Sequence, residues 1–245
     1  MNNNINSSTN AKNNLIFFGV IIGVALIICA FIGRATLLNV KAYGNTISVT
    51  GAASKPIQSN LAIWEPEISA TSPNVEAGYA KIKSDIENVK AFMTKRGFKD
   101  SDYELFGVNV RKNYDRDRNE TGVTLTQRIK MELNDVAKVT QLAREASSLL
   151  EKGVEINSYN PRYLFTGLDT LKIEMIKAAT ENAVLRARQL AETNGKKVGA
   201  PTSARVGVFQ IRPLHSQEVS DYGISDVTSV DKEIVCTVNI SFMIE

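Results

Sequence analysis

His215 is the only histidine. It lies in Arg212-Pro213-Leu214-His215-Ser216, with Asp221 just beyond. Serine, histidine and aspartate together suggest a nucleophile, its base and a group to orient the base. That chemistry needs the base held within about 3 Å of the nucleophile on a rigid frame. A polar loop containing Pro and Gly is a poor frame, so the reading is an exposed loop histidine, with a His215 hydrolase as the outlying alternative. Asp115, Asp117 and Asn119 begin like a calcium loop, but Glu120 and Thr126 stand where that loop needs Gly and a bidentate Glu. A charged hairpin tip is expected there instead. Cys29 and Cys236 are far apart and have no nearby ligand partners, so neither a disulfide nor a zinc site is expected. No Gly-rich phosphate loop follows a strand. No catalytic, cofactor or metal residue is assigned, and the chain is read as not an enzyme. Trp64 and Tyr79 are the residues to watch for binding. They are either core and interface aromatics or the lining of a ligand cleft.

The element that decides where such a site would work is apolar. Leu15 to Ile32 is a run of eighteen residues without a charge or a proline. As a helix it spans roughly 27 Å, close to the thickness of a bilayer's hydrocarbon core. The expectation is one transmembrane signal-anchor helix over residues 15–37, preceded by a disordered tail over 1–14. A cleaved signal peptide is the alternative, but its apolar core is shorter and ends in a small-x-small site, whereas this run ends in Ala30-Phe31-Ile32-Gly33. A lipidated Cys29 is disfavoured by Ile28 before it. Lys12 on one side and Arg34 and Lys41 on the other leave the positive-inside rule nearly silent, leaning slightly against export.

The rest of the chain is ordinary in charge: 22% charged residues and a net +3, both signs interspersed. Nucleic acid as a partner would need clustered Lys and Arg. Lys95, Arg96 and Lys99 are too few for that and suit a helix C-terminus.

Patterning from residue 45 onward predicts strands at Thr46–Ser54 and Leu61–Ala70, the second interrupted by Pro66 and therefore an edge or a bulge. A helix capped by Ser72 follows, with a stripe of Val75, Tyr79, Ile82, Ile86, Val89 and Met93, stopped at Gly97. Phe106, Val108 and Val110, then Leu125, Ile129, Met131 and Leu133, make a hairpin. Asn134 caps a second helix that ends at Gly153, and a strand region runs from Val154 to Phe165. A third helix, from about Asp169 to Asn194, carries an inner face of Ala178, Ala179, Ala183, Ala187 and Ala191 with Leu171, Met175 and Leu190. A strand over Ala204–Phe209, a polar loop over Gln210–Ser229 and a final strand alternating from Ile234 to Ile244 complete the order. The class is α+β, largely antiparallel strands with three amphipathic helices, in one domain over 45–245 or two subdomains at about 45–133 and 134–245.

These elements resemble the SIMPL-domain family of bacterial periplasmic and envelope proteins. The residues that carry the likeness are Ile47 to Ala62, ISVTGAASKPIQSNLA; Arg96-Gly97-Phe98; Asp100-Ser101-Asp102; and the run Leu190 to Gly199, LAETNGKKVG. In Gly51-Ala52-Ala53-Ser54 the first turn lacks the acidic residue that relatives often carry. The resemblance implies an α+β domain in the periplasm and homo-oligomerisation, and it implies no catalytic residues.

The expected function is a single-pass, membrane-anchored, non-enzymatic envelope protein acting through self-association or partner binding, in envelope maintenance or stress tolerance. Its C-terminal domain would sit in the periplasm or outside the cell, beside the inner membrane. The expected partners are the lipid bilayer, further copies of the chain and an envelope protein, with no nucleic acid. A periplasmic small-ligand module, with Trp64 or the tyrosines in a cleft between subdomains, is the alternative. An oligomeric channel is a lesser one.

Overall fold

The computed structural model describes residues 19–20, 22–34 and 46–244. The tail expected over 1–14 lies outside the described residues, as do Leu15 and the linker over 35–45. Residues 22–34 are helical. Among the described residues no helix is long and apolar enough to cross a membrane.

Among the described residues, twelve strands and three further α-helices follow. The strands are β1 (Thr46–Gln58), β2 (Leu61–Trp64), β3 (Glu67–Ser72), β4 (Tyr103–Leu105), β5 (Asn109–Tyr114), β6 (Glu120–Leu133), β7 (Glu155–Asn157), β8 (Arg162–Leu164), β9 (Val198–Val206), β10 (Gln210–Pro213), β11 (Ile224–Ser225) and β12 (Asp231–Ile244). The helices are α1 (Val75–Lys95), α2 (Val136–Glu145) and α3 (Leu168–Thr193). Seven strands form one sheet and five the other. Most strand pairings are antiparallel; β10 with β11 is parallel. The α+β class holds.

The seven-stranded sheet is built around β6. Its first half pairs with β5 on one side and β3 on the other; its second half pairs with β4 and β2. β7 and β8 lie outside β3 and β2. Pro66 does interrupt the segment, but not at an edge. It falls in the break between two interior strands, where its missing N–H is not needed, and its carbonyl still accepts the Ile129 N–H at 3.0 Å. Ala62, Trp64, Ile68 and Ala70 all face the core, as their parity requires.

α1 covers this core with Ile82, Ile86, Val89 and Met93. Its cap is Asn74, not Ser72: the Asn74 Oδ1 accepts the Ala77 N–H at 2.9 Å, while Ser72 ends β3. Gly97 takes the left-handed conformation, φ 78°, as its stop. Arg96 donates to the Phe92 carbonyl and pairs with Glu145; Lys138 donates to the Gly97 carbonyl. α2 is capped by Asp135 rather than Asn134. It tightens into a 3-10 segment, Ala146–Lys152, before Gly153 at φ 70°.

The expected hairpin forms between β5 and β6, with a break in its first strand between Leu105 and Asn109. Phe106 falls in that break and is exposed; Val110 is exposed too, although it pairs with Leu125. The strand expected over Ala204–Phe209 straddles the gap between β9 and β10. The polar loop after it contains β10 and β11, with Gln210 and Ile211 buried.

α3 buries Leu171, Met175, Ala179, Ala183, Ala187 and Ala191, one row at strict steps of four. Leu190, expected inside, is exposed. Two helix side chains bond the backbone of β1. Asn182 Oδ1 accepts the Ala52 N–H at 3.1 Å, and Arg186 Nη1 donates to the Thr50 carbonyl at 2.8 Å.

The chain divides into two compact units. One runs up to Gly51 and adds Ala183–Arg205 and Asn239–Glu245; the other is Ala52–Asn182 with Val206–Val238. The boundary expected near residue 133 falls inside the second unit.

Candidate functional site

The second unit contains a buried lysine that pattern reading passed over. Lys232 is 2% exposed. It stands two residues before Ile234 on the inward parity of β12, so the alternation that buries Ile234, Cys236 and Val238 carries it inside too. Its Nζ donates to the Tyr163 carbonyl at 2.6 Å and to the Asp226 carbonyl. Burial pushes this ammonium below its ordinary pKa, and the Asp226 carboxylate pulls it partly back.

Asp226 is itself the keystone of a turn. Its Oδ1 accepts the N–H and hydroxyl of Thr228 and its Oδ2 accepts the Ser229 N–H. Burial pushes its carboxyl up, but the bonds from Thr228 and Ser229 and the charge of Lys232 outweigh that, leaving it low. The turn delivers the Ser229 carbonyl to the Ser59 hydroxyl and the Val230 carbonyl to the Ser59 N–H. Tyr163 continues the chain of contacts: its hydroxyl lies 3.0 Å from Thr140 Oγ1 on α2.

Above this polar layer opens a cleft of about 750 Å³, within the range of small-ligand sites. One wall is Gln58-Ser59-Asn60, the turn between β1 and β2. The other is the exposed face of α2, Ala137, Thr140, Gln141 and Arg144, at helical steps of three and four. Asn60 is locked at both ends of its amide, donating to Thr166 Oγ1 and accepting the Thr166 N–H, each at 2.9 Å. Arg144 has no ion-pair partner among the described residues. The arrangement suits noncovalent binding. The Lys232 ammonium is enclosed and doubly bonded.

The residues singled out from sequence go elsewhere. Trp64 is 1% exposed, and its indole N–H donates to the Tyr159 carbonyl at 3.0 Å. Tyr79 is 55% exposed on α1. Neither lines this cleft. His215 is exposed in a turn with φ 67°; Ser216 Oγ accepts the Glu218 N–H, and no bond among the described residues joins His215 to Ser216 or Asp221. Asp115 closes the hairpin tip by accepting the N–H groups of Asn119 and Asp117 and the Asn119 side-chain amide; the Asn119 bonds, foremost, hold its carboxyl low. Among the described residues no three His, Cys, Asp or Glu side chains gather as a metal would require.

The SIMPL family model, described as a protein of unknown function (DUF541), matches residues 47–242. The chain belongs to the SIMPL family. The match takes in the β1–β2 turn, α2, the Asp226 turn and Lys232, so every wall of the cleft is part of the SIMPL domain. No curated protein matches the chain. Among solved structures, a hydantoinase/carbamoylase family amidase from Burkholderia ambifaria is 12% identical with a TM-score of 0.28, covering 50% of this chain. The chain spans about a third of that enzyme's length, 34%. So distant a likeness carries no argument.

Proposed function

We propose that this SIMPL protein is a membrane-anchored, non-enzymatic protein of the bacterial envelope that works by self-association or partner binding. One observation carries the anchor: the helical residues bury almost nothing. Ile22, Val24, Leu26, Ile27, Ile28 and Phe31 are each more than half exposed. Water penalises that much apolar surface at roughly 25 cal/mol per Å², and lipid removes the penalty. Residues 15–18 and 21, outside the described residues, extend the same apolar run in sequence.

Association is supported by β5. It ends its side of the seven-stranded sheet and leaves Val110 and Tyr114 exposed, with Phe106 just before it. An open edge of this kind accepts a further strand, and confinement to one membrane raises the local concentration of copies. Carbonate extraction and light scattering of the full chain in mild detergent test the two halves separately. The expected results are retention in the membrane pellet and a mass above one copy. Release with an intact N-terminus would overturn the anchor; a strict monomer that binds no envelope protein would overturn association.

A further inference from the structure

The cleft beside α2 holds a set of polar atoms that the fold leaves unused. Arg144, at one end, has five donors, no acceptor and no carboxylate within ion-pair distance among the described residues. Asp135, at the other end, spends one oxygen on the Lys138 N–H as the helix cap and has a second to offer. Amide groups line the same cleft, two of them half used. Gln141 and Gln58 give their N–H groups to Glu145 and Asp231, which leaves their carbonyl oxygens to accept. The side chain of Asn134 has no partner among the described residues.

Along α2 the order is therefore a cation at Arg144, the Gln141 acceptor, then an anion at Asp135, with Gln58 on the facing wall. Residues 135 and 144 are nine apart, so about 13 Å separates them along the axis. Four extended residues cover the same distance at about 3.3 Å each. A sugar would meet the amides but leave Arg144 unanswered. A lone phosphate would meet Arg144 but leave the rest of the cleft empty. A short peptide with free ends answers both charges and the glutamine oxygens: carboxylate to Arg144, backbone N–H to the glutamine oxygens, ammonium to Asp135.

We infer that this cleft is a binding site for a short peptide of about four residues with a free carboxylate, held parallel to α2. Neither the anchor nor self-association enters the argument, and the measurement reads neither. Calorimetric titration of the full chain in detergent micelles uses tetra-alanine, its C-terminal amide, its N-acetyl form and inorganic phosphate as probes. Tetra-alanine is expected to bind, the C-terminal amide at least tenfold more weakly and the N-acetyl form several-fold more weakly. Arg144→Gln, an exposed change, should erase the difference between acid and amide. Asp135→Asn, which keeps a capping oxygen, should erase the difference between free and acetylated amine. Equal binding of acid and amide to the native chain, no binding of tetra-alanine at millimolar concentration, or binding of phosphate as tight as that of the peptide would each overturn the inference.

Discussion

At the scale of single residues, Lys232 shows how burial, charge and hydrogen bonding are balanced. Removing its ammonium would relieve a desolvation cost but orphan two carbonyls, Tyr163 and Asp226. Orphaned buried acceptors cost more than a typical bond contributes, so Lys232→Met is expected to lose about 1–3 kcal/mol, read as a lower urea midpoint with unchanged slope. The pH dependence separates the charge from the bonds. The folded ammonium is depressed relative to about 10.4 in the unfolded chain. Between those two values the unfolded chain holds more protons, so stability rises as pH rises through that window. Asp226 is depressed as well, so its contribution is present above about 3.9 and is lost as pH falls below it. Urea melts across alkaline pH should show the rise in the native chain and a flatter profile in Lys232→Met; parallel profiles would refute the assignment. Lys232 was legible in principle, because its parity matches Ile234. Hydrophobic alternation does not count a lysine, however, and nothing local reveals that two distant carbonyls await it.

At the scale of elements, turns and caps decide more than propensity does. Gly122 sits where β5 and β6 slip register, with φ 142°, and a Cβ there would meet the Ser72 carbonyl oxygen at 2.5 Å. Gly122→Ala is expected to cost about 1–3 kcal/mol through backbone strain alone, measured by thermal or urea unfolding. An unchanged midpoint would show that β6 can shift at that point. α2 offers a cleaner comparison. Asp135→Ala should cost about 1 kcal/mol and Asp135→Asn much less, since Asn caps as well as Asp. Both caps lay within one or two residues of their sequence positions, Asn74 for Ser72 and Asp135 for Asn134. Several polar side chains precede each helix, and only the backbone path selects which oxygen reaches the free N–H groups.

At the scale of the molecule, the proposed anchor and the SIMPL domain are expected to do separate work. Deleting Leu15–Ile32 should move the protein from the carbonate pellet to the supernatant and leave its far-ultraviolet circular dichroism per residue close to native for strands and helices beyond residue 46. A deleted chain that stayed with the membrane would place the attachment in the domain itself.

The sequence alone determined what local physics controls. The periods of α1, α2 and β12, the left-handed stops at Gly97 and Gly153 and the α+β class follow from spacing and backbone preference within a few turns of chain, while the family likeness rests on particular residue runs such as Ile47 to Ala62. Tertiary structure decided everything that requires distant segments to meet. It put Pro66 between two interior strands, withdrew Trp64 into the core, exposed Tyr79 and Leu190, and raised a cleft from residues 58–60, 134–144 and 230. Those outcomes depend on which strands pair with β6 and where β12 returns. Contacts across 70 to 170 residues of chain leave no mark in the pattern of any one segment.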